Sequence, residues 1–204
     1  MEENMGEFVV FTGRPNAGKS SIIRQVVGLD VTTGKRPGTT RKITKYPLSD
    51  GLVLVDMPGF GRMMGISKKR EGKINDQIIK FLEANAQSVA TAIHVLDISN
   101  FLEVTRRLEA KGFISVDLEM VQFVAKVTGE FPLVAANKID KTDEMGLATN
   151  LTEFTYRVNQ EPRTTVVEHV FPVSAKTGKG LGALKEAMHA RLVAKGYRTP
   201  FKLR

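Results

Sequence analysis

The sequence predicts an α/β fold with a mostly parallel sheet and helices on both faces. Three observations carry this. Short apolar runs rich in Val, Ile and Phe alternate with helical segments along the chain. The helical segments repeat apolar residues at i, i+3 and i+4, the one-sided pattern of helices laid on a sheet. A Gly-rich turn, Gly13-Arg-Pro-Asn-Ala-Gly-Lys-Ser20, sits between the first run and the first helix, where a phosphate-binding loop belongs.

Taken in order, the first strand is Glu7–Phe11, followed by the turn and a helix over Ser21–Val27. Gly28–Arg41 has no regular period and is rich in Gly, Lys and Arg. Lys42–Pro47 and Leu52–Asp56 read as strands two and three. Met57–Gly72 is again irregular and basic, and leads into a helix marked by Ile74, Ile78, Phe81 and Leu82. Strand four is Ala90–Asp97. Leu118, Val121 and Ala125 mark a helix, Phe131–Asn137 the fifth strand, residues 143–158 another helix, and Val167–Val173 the sixth strand. Leu181, Leu184, Met188 and Leu192 close the series. Loops of this kind carry function when a rigid scaffold positions them.

The chain has 204 residues, enough for one domain with a full core. Residues 1–195 are expected to form it, and 196–204 a basic tail. No apolar run reaches the ~18–20 residues of a membrane span, and Met1–Glu7 lacks the features of a signal peptide. With no cysteine, disulfides and thiolate metal sites are excluded. A cytoplasmic monomer without a membrane partner is expected. The net charge of +8 favours a polyanionic partner. It gathers in three clusters: Lys35, Arg36, Arg41, Lys42 and Lys45; Arg62, Lys68, Lys69, Arg70 and Lys73; and Lys195, Arg198, Lys202 and Arg204. Each alone reads equally well as a solvated surface; together they favour an RNA-facing one.

Four motifs and a loop then define the chemistry. In residues 13–20, Gly13, Arg14, Pro15, Asn16, Ala17 and Gly18 form a loop whose N–H groups can face phosphates. Lys19 adds a charge at the outer phosphates, and the Ser20 hydroxyl is a hard ligand for Mg²⁺. Asp56, at a strand end, can hold a Mg²⁺-bound water. In the run Asp56, Met57, Pro58, Gly59, the Gly59 N–H can reach a γ-phosphate. In Asn137, Lys138, Ile139, Asp140, the Asp140 carboxylate can accept from guanine N1–H and the 2-amine; adenine offers neither. The Lys138 stem can cover the base, and Asn137 can tie this loop to the phosphate loop. Within Ser174, Ala175, Lys176, the Ala175 N–H can meet guanine O6. In the loop Lys35–Arg41, a threonine can ligate Mg²⁺ when γ-phosphate is present, and Gly38, Thr39, Thr40, Arg41 and the following Lys42 are expected to contact GTP. Thr40, directly before the basic residue, is chosen over Thr39. Lys19, Asn16, Thr40 and Gly59 are the expected catalytic set. His94, His169 and His189 lack metal-type spacing and read as structural; the first two fall in predicted strands. Arg14 can touch phosphate, though an exposed side chain is the simpler expectation.

In this order these motifs resemble the GTPase superfamily. GRPNAGKSS, PGTTRK and DMPGFG together are similar to the Era/TrmE/EngA/EngB branch. DMPGFGRMMGISKK with the following INDQIIKFLEANA, ISVDLEMVQF and VAANKIDK most resembles the archaeal EngB-like proteins. The resemblance covers residues 7–193. It implies a P-loop GTPase G domain with a six-stranded sheet, Mg²⁺-dependent GTP hydrolysis, and a role in assembling the large ribosomal subunit. A regulatory switch acting on a protein partner without RNA is the alternative. Two positions bear on mechanism. Phe60 stands where Ras-type proteins carry a water-orienting glutamine, which implies slow intrinsic hydrolysis. Asn16 matches the asparagine that helps bind K⁺ in this branch; the other reading is a turn residue stabilising its own loop. After Val95-Leu-Asp97 the chain reads Ile-Ser-Asn-Phe-Leu, where bacterial members tend to have an Arg-His pair.

Overall fold

Strand β1 (Glu7–Gly13) shows why the sheet is buried on both sides: Val9 and Phe11 face one hydrophobic cluster, Phe8 and Val10 the other. Side chains alternate along a strand, so an unbroken apolar run needs cover on two faces. The structure, a computed structural model, describes residues 7–29, 31, 42–49, 51–61, 67–159 and 167–201. Among them, β1 joins β2 (Thr44–Ser49), β3 (Leu52–Asp56), β4 (Val89–Asp97), β5 (Leu133–Asn137) and β6 (Val170–Pro172) in one sheet, ordered β2-β3-β1-β4-β5-β6. Only β2 runs antiparallel, paired with β3 through the turn at Gly51; the other pairings are parallel.

The helices are α1 (Lys19–Val27), α2 (Lys68–Ala84), α3 (Phe101–Glu109), α4 (Val116–Thr128), α5 (Glu144–Val158) and α6 (Leu181–Ala194). Ile22, Ile23 and Val26 of α1 and Leu184, Met188 and Leu192 of α6 cover one face. On the other, Ile74, Ile78 and Leu82 of α2 and Met120 and Val124 of α4 pack on β1 and β3. Phe101 of α3 and Phe154 of α5, ring centroids 5.3 Å apart, complete that side over β5. No helix among the described residues is long and apolar enough to cross a membrane.

The sequence reading missed α3, which begins in the departure noted after Asp97. Its inward face, Phe101, Val104 and Thr105, has helical spacing, but the helix is short and otherwise polar. The sixth strand is shorter than expected: Val167–His169 coil as a 3₁₀ turn, so His169 lies outside the strand, its ring stacked 5.7 Å from Phe131. The described part of the C-terminal tail folds back. Tyr197 donates its hydroxyl to the Gly51 carbonyl at 3.0 Å, and Phe201 is buried with its ring against His189.

The consequence for function lies in register. Phe11 pairs with Asp56, Gly13 with Val95, and Asp97 with Asn137. Every motif therefore leaves the sheet at its carboxyl edge, where open α/β sheets bind ligands.

Candidate functional site

The phosphate loop is built from backbone that ordinary residues rarely adopt. Asn16 is left-handed at φ 63°, exposed, and Gly18 has φ 105°. A Cβ on Gly18 would stand 2.3 Å from the Asn137 amide nitrogen, so only glycine fits. Gly18 is also the N-cap of α1, whose free N–H groups and positive end suit an anion. Ala17 is buried, Pro15 partly buried, and Ser20, second residue of α1, is half-buried.

Lys19 is buried and curls over its own loop. Its Nζ donates to the Gly13 carbonyl at 3.0 Å and the Arg14 carbonyl at 3.2 Å. Burial pushes its pKa down to about 8, against the opposing pull of Asp56 and Asp117. Asp56 ends β3 and is 2% exposed. Burial raises its pKa, while Lys19 and the Ser20 hydrogen bond pull it back. Its Oδ2 lies 3.5 Å from the Ser20 hydroxyl, and its Oδ1 is buried without a partner among the described residues. A carboxylate oxygen left unpaired beside a hydroxyl is a costly arrangement that a hard cation and its water relieve. The donor set fits Mg²⁺.

Met57 and Pro58 are buried, and Gly59 packs directly on the phosphate loop. A Cβ there would fall 2.6 Å from the Pro15 nitrogen. Phe60 donates its N–H to the Gly13 carbonyl at 3.2 Å and lays its ring against the cluster holding Met57 and Ile74. Gly38, Thr39, Thr40 and Arg41 lie outside the described residues; Lys42 is exposed at the foot of β2.

Across the edge, Asn137 is 2% exposed and uses both ends of its amide. Nδ2 donates to the Ala17 carbonyl at 2.8 Å, and Oδ1 accepts the Ala175 N–H at 2.9 Å. The sequence reading aimed that N–H at a base oxygen; here it rests on Asn137. Lys138 is left-handed at φ 71° and pairs with Asp97 at 2.5 Å. Ile139 is partly buried and holds the turn by donating to the Val173 carbonyl at 3.3 Å. Asp140 is exposed, its Oδ1 accepting from the buried Ser174 hydroxyl at 2.6 Å, which lowers its pKa and keeps it ionised. Lys176 is exposed beside it.

Arg14 differs from expectation: its side chain is only 25% exposed and reaches back to Asp117 of α4. His94 is fully enclosed between Thr12 and Asp117. Asp117 was missed, because nothing local marks it beyond its place in the first turn of a helix.

Residues 8–138 match the family model described as 50S ribosome-binding GTPase. The chain is 41% identical to a "probable GTP-binding protein EngB" of Methanopyrus kandleri over 93% of this chain and 94% of that protein. It is 34% identical to a protein of the same description from Archaeoglobus fulgidus, over 95% and 96%. Among solved structures, a probable GTP-binding protein engB superposes with a TM-score of 0.80 at 34% identity, covering 92% of this chain and 99% of that one.

Proposed function

Because this chain belongs to the EngB-type GTPases, we propose that it binds GTP with Mg²⁺ across Gly13–Ser20, reads guanine with Asp140, and hydrolyses GTP to GDP as a conformational switch in large-subunit ribosome assembly. The observation that carries the reading is Asn137. One buried amide joins the phosphate loop to the base loop, which makes sense for a ligand with a base at one end and phosphates at the other.

Each residue has a task. Lys19 exchanges the carbonyls of Gly13 and Arg14 for phosphate oxygens, which restore the charge that burial opposes. The loop N–H groups and the end of α1 hold the phosphates by fixed dipoles. Ser20, Thr40 and, through water, Asp56 would hold Mg²⁺, which would supply positive charge to neutralise the phosphates. Gly59 offers its N–H to the γ-phosphate, so the segment after β3 senses whether that group is present. Lys138 covers the base with its stem while Asp97 fixes its head. Phe60 cannot orient water, and its ring is committed to the core. Intrinsic turnover is therefore slow and depends on help from elsewhere. Asn16 is the proposed K⁺ ligand; equal turnover in K⁺ and Na⁺, with and without ribosomes, would overturn that role.

The RNA partner rests on charge. Lys68, Lys69, Arg70 and Lys73 lie exposed along the start of α2, next to the segment that senses γ-phosphate. Lys42 is exposed just before β2 and Lys45 is exposed on it, 4.7 Å over the Phe8 ring. The test is co-sedimentation with large ribosomal subunits in a GTP analogue and in GDP, across a salt series. Nucleotide-dependent binding that weakens steeply with salt is expected. Equal, absent or salt-independent sedimentation would refute the ribosomal role and leave a protein-directed switch acting in the cytoplasm.

A further inference from the structure

We propose that Asp117 is a positioning residue for the phosphate loop, acting through Arg14 and held in place by His94 and Thr12. The proposal rests on reading Gly13–Ser20 as the GTP site.

Four side chains form a continuous line across β1, β4 and the first turn of α4. Thr12 Oγ1 is 3.0 Å from His94 Nδ1, His94 Nε2 is 3.2 Å from Asp117 Oδ1, and Asp117 Oδ2 is 2.6 Å from Arg14 Nε. Thr12, His94 and Asp117 are at most 1% exposed. An ionised carboxylate only accepts, so the His94 nitrogen facing it carries the proton. In the neutral ring, Nδ1 then accepts from the Thr12 hydroxyl. This tautomer is assigned from the partners on each side. One Asp117 oxygen is thereby occupied and oriented, and the other is aimed at Arg14. That last contact is an ion pair, and neither atom has a hydrogen-bond partner among the described residues.

The line ends on the phosphate-binding lysine. Arg14 supplies one of the two carbonyls that accept from Lys19 Nζ. Its side chain is tethered to Asp117, so the residue that orients Lys19 through its carbonyl is also held through its guanidinium. The first turn of α4 touches the other sensing segment as well, since a Cβ on Gly61 would meet Val116 at 3.0 Å. A buried carboxylate with two charged or polar clients has a high cost if either client is removed. That cost is what makes it a firm anchor.

The experiment measures the dissociation constant of a fluorescent GDP analogue for wild type, Arg14→Ala, Arg14→Lys, Asp117→Asn and the double variant Arg14→Ala/Asp117→Asn. Nucleotide-free denaturation midpoints are recorded for each. Arg14→Ala and Asp117→Asn are each expected to weaken binding about tenfold, and the double variant no more than the stronger single, the signature of residues acting as one unit. Arg14→Lys, which keeps the charge, should recover to within about threefold of wild type. A merely structural ion pair would lower the midpoints and leave affinity untouched. Singles within about twofold of wild type, additive losses in the double variant, or equal loss in Arg14→Ala and Arg14→Lys would each overturn the proposal. Should Asp117→Asn fail to fold, the comparison of the two Arg14 variants decides alone. If instead wild type binds no better than Lys19→Ala, the GTP-site reading has failed rather than this one.

Discussion

Lys19 offers the sharpest test of the site, because its environment changes sign when phosphate arrives. In the free protein its pKa is pushed down to about 8 from 10.5 by burial. That shift corresponds to roughly 3 kcal/mol against the charged form. At pH 8 about half of the lysines are therefore neutral, and at pH 7 about a tenth. Bound phosphates favour the charged form. GDP binding should then take up about half a proton at pH 8 and about a tenth at pH 7. The terminal phosphate, with a pKa of about 6, is ionised at pH 8 and does not mask the effect. Asp140 stays ionised as well, its pKa lowered by the Ser174 hydroxyl. The assay is calorimetry without divalent ion in two buffers of different ionisation enthalpy; the dependence of heat on buffer counts protons. Asp56→Asn should raise uptake at pH 8, since it removes the stronger of the two carboxylate charges that hold the Lys19 pKa up. Uptake near zero, or proton release, at pH 8 would refute the desolvated lysine. The same shift has a stability side. The unfolded chain holds this proton between about pH 8 and 10.5 while the fold does not, so nucleotide-free stability gains from Lys19 as pH rises through that window.

Other perturbations probe the neighbours. Asp140→Asn should weaken GTP binding roughly 100-fold or more and turn preference towards xanthine nucleotides, whose 2-oxo group suits an amide donor. Competition between the two nucleotides measures this, and unchanged guanine preference would remove Asp140 from base reading. Asp56→Asn should raise the nucleotide-free melting temperature at pH 7, by about 2–4 °C for each kcal/mol relieved. Its raised pKa means that the fold loses stability as pH rises through ionisation, and the amide is spared that loss. The same variant should lose the Mg²⁺ dependence of its GTP affinity, which titration with and without the ion detects. Gly18→Ala should cost roughly 2–5 kcal/mol, from backbone strain at φ 105° and a methyl group driven into Asn137. A thermal scan showing less than about 2 °C of change would contradict the geometry.

The parts of the candidate site that lie in consecutive residues are legible in the sequence itself. Gly13–Ser20, Asp56–Gly59 and Asn137–Asp140 each follow an apolar strand, and a strand with its following turn is a local property. Leu52–Asp56 matches its predicted bounds because a turn at Gly51 and an aspartate at its end delimit it. The short helix Phe101–Glu109 escaped because three inward residues are a faint period among Glu103, Arg106, Arg107 and Glu109. Val167–His169 escaped because Val-Glu-His, running straight into the apolar Val170 and Phe171, reads as the start of the same strand. The tether of Arg14 was beyond reach for a different reason. It joins a loop to a helix turn far away in sequence, and depends on the crossovers that set β1 and β4 side by side. The engagement of the Ala175 N–H was hidden likewise, since Asn137 can claim it only once β5 and β6 are neighbours.

Asn137 has a consequence for how ligands would add up. Its amide holds the Ala17 carbonyl and the Ala175 N–H at opposite ends of one rigid side chain, so the separation of the two half-sites is set before anything binds. A guanosine fragment and a diphosphate fragment would each bind weakly, and neither would reshape the half-site awaiting the other. Joined by a tether of the right span, they would gain the full effective concentration of a chelate. One a bond too long or too short would forfeit most of it. The spacing enforced by a single asparagine is, in this sense, a ruler for inhibitor linkage.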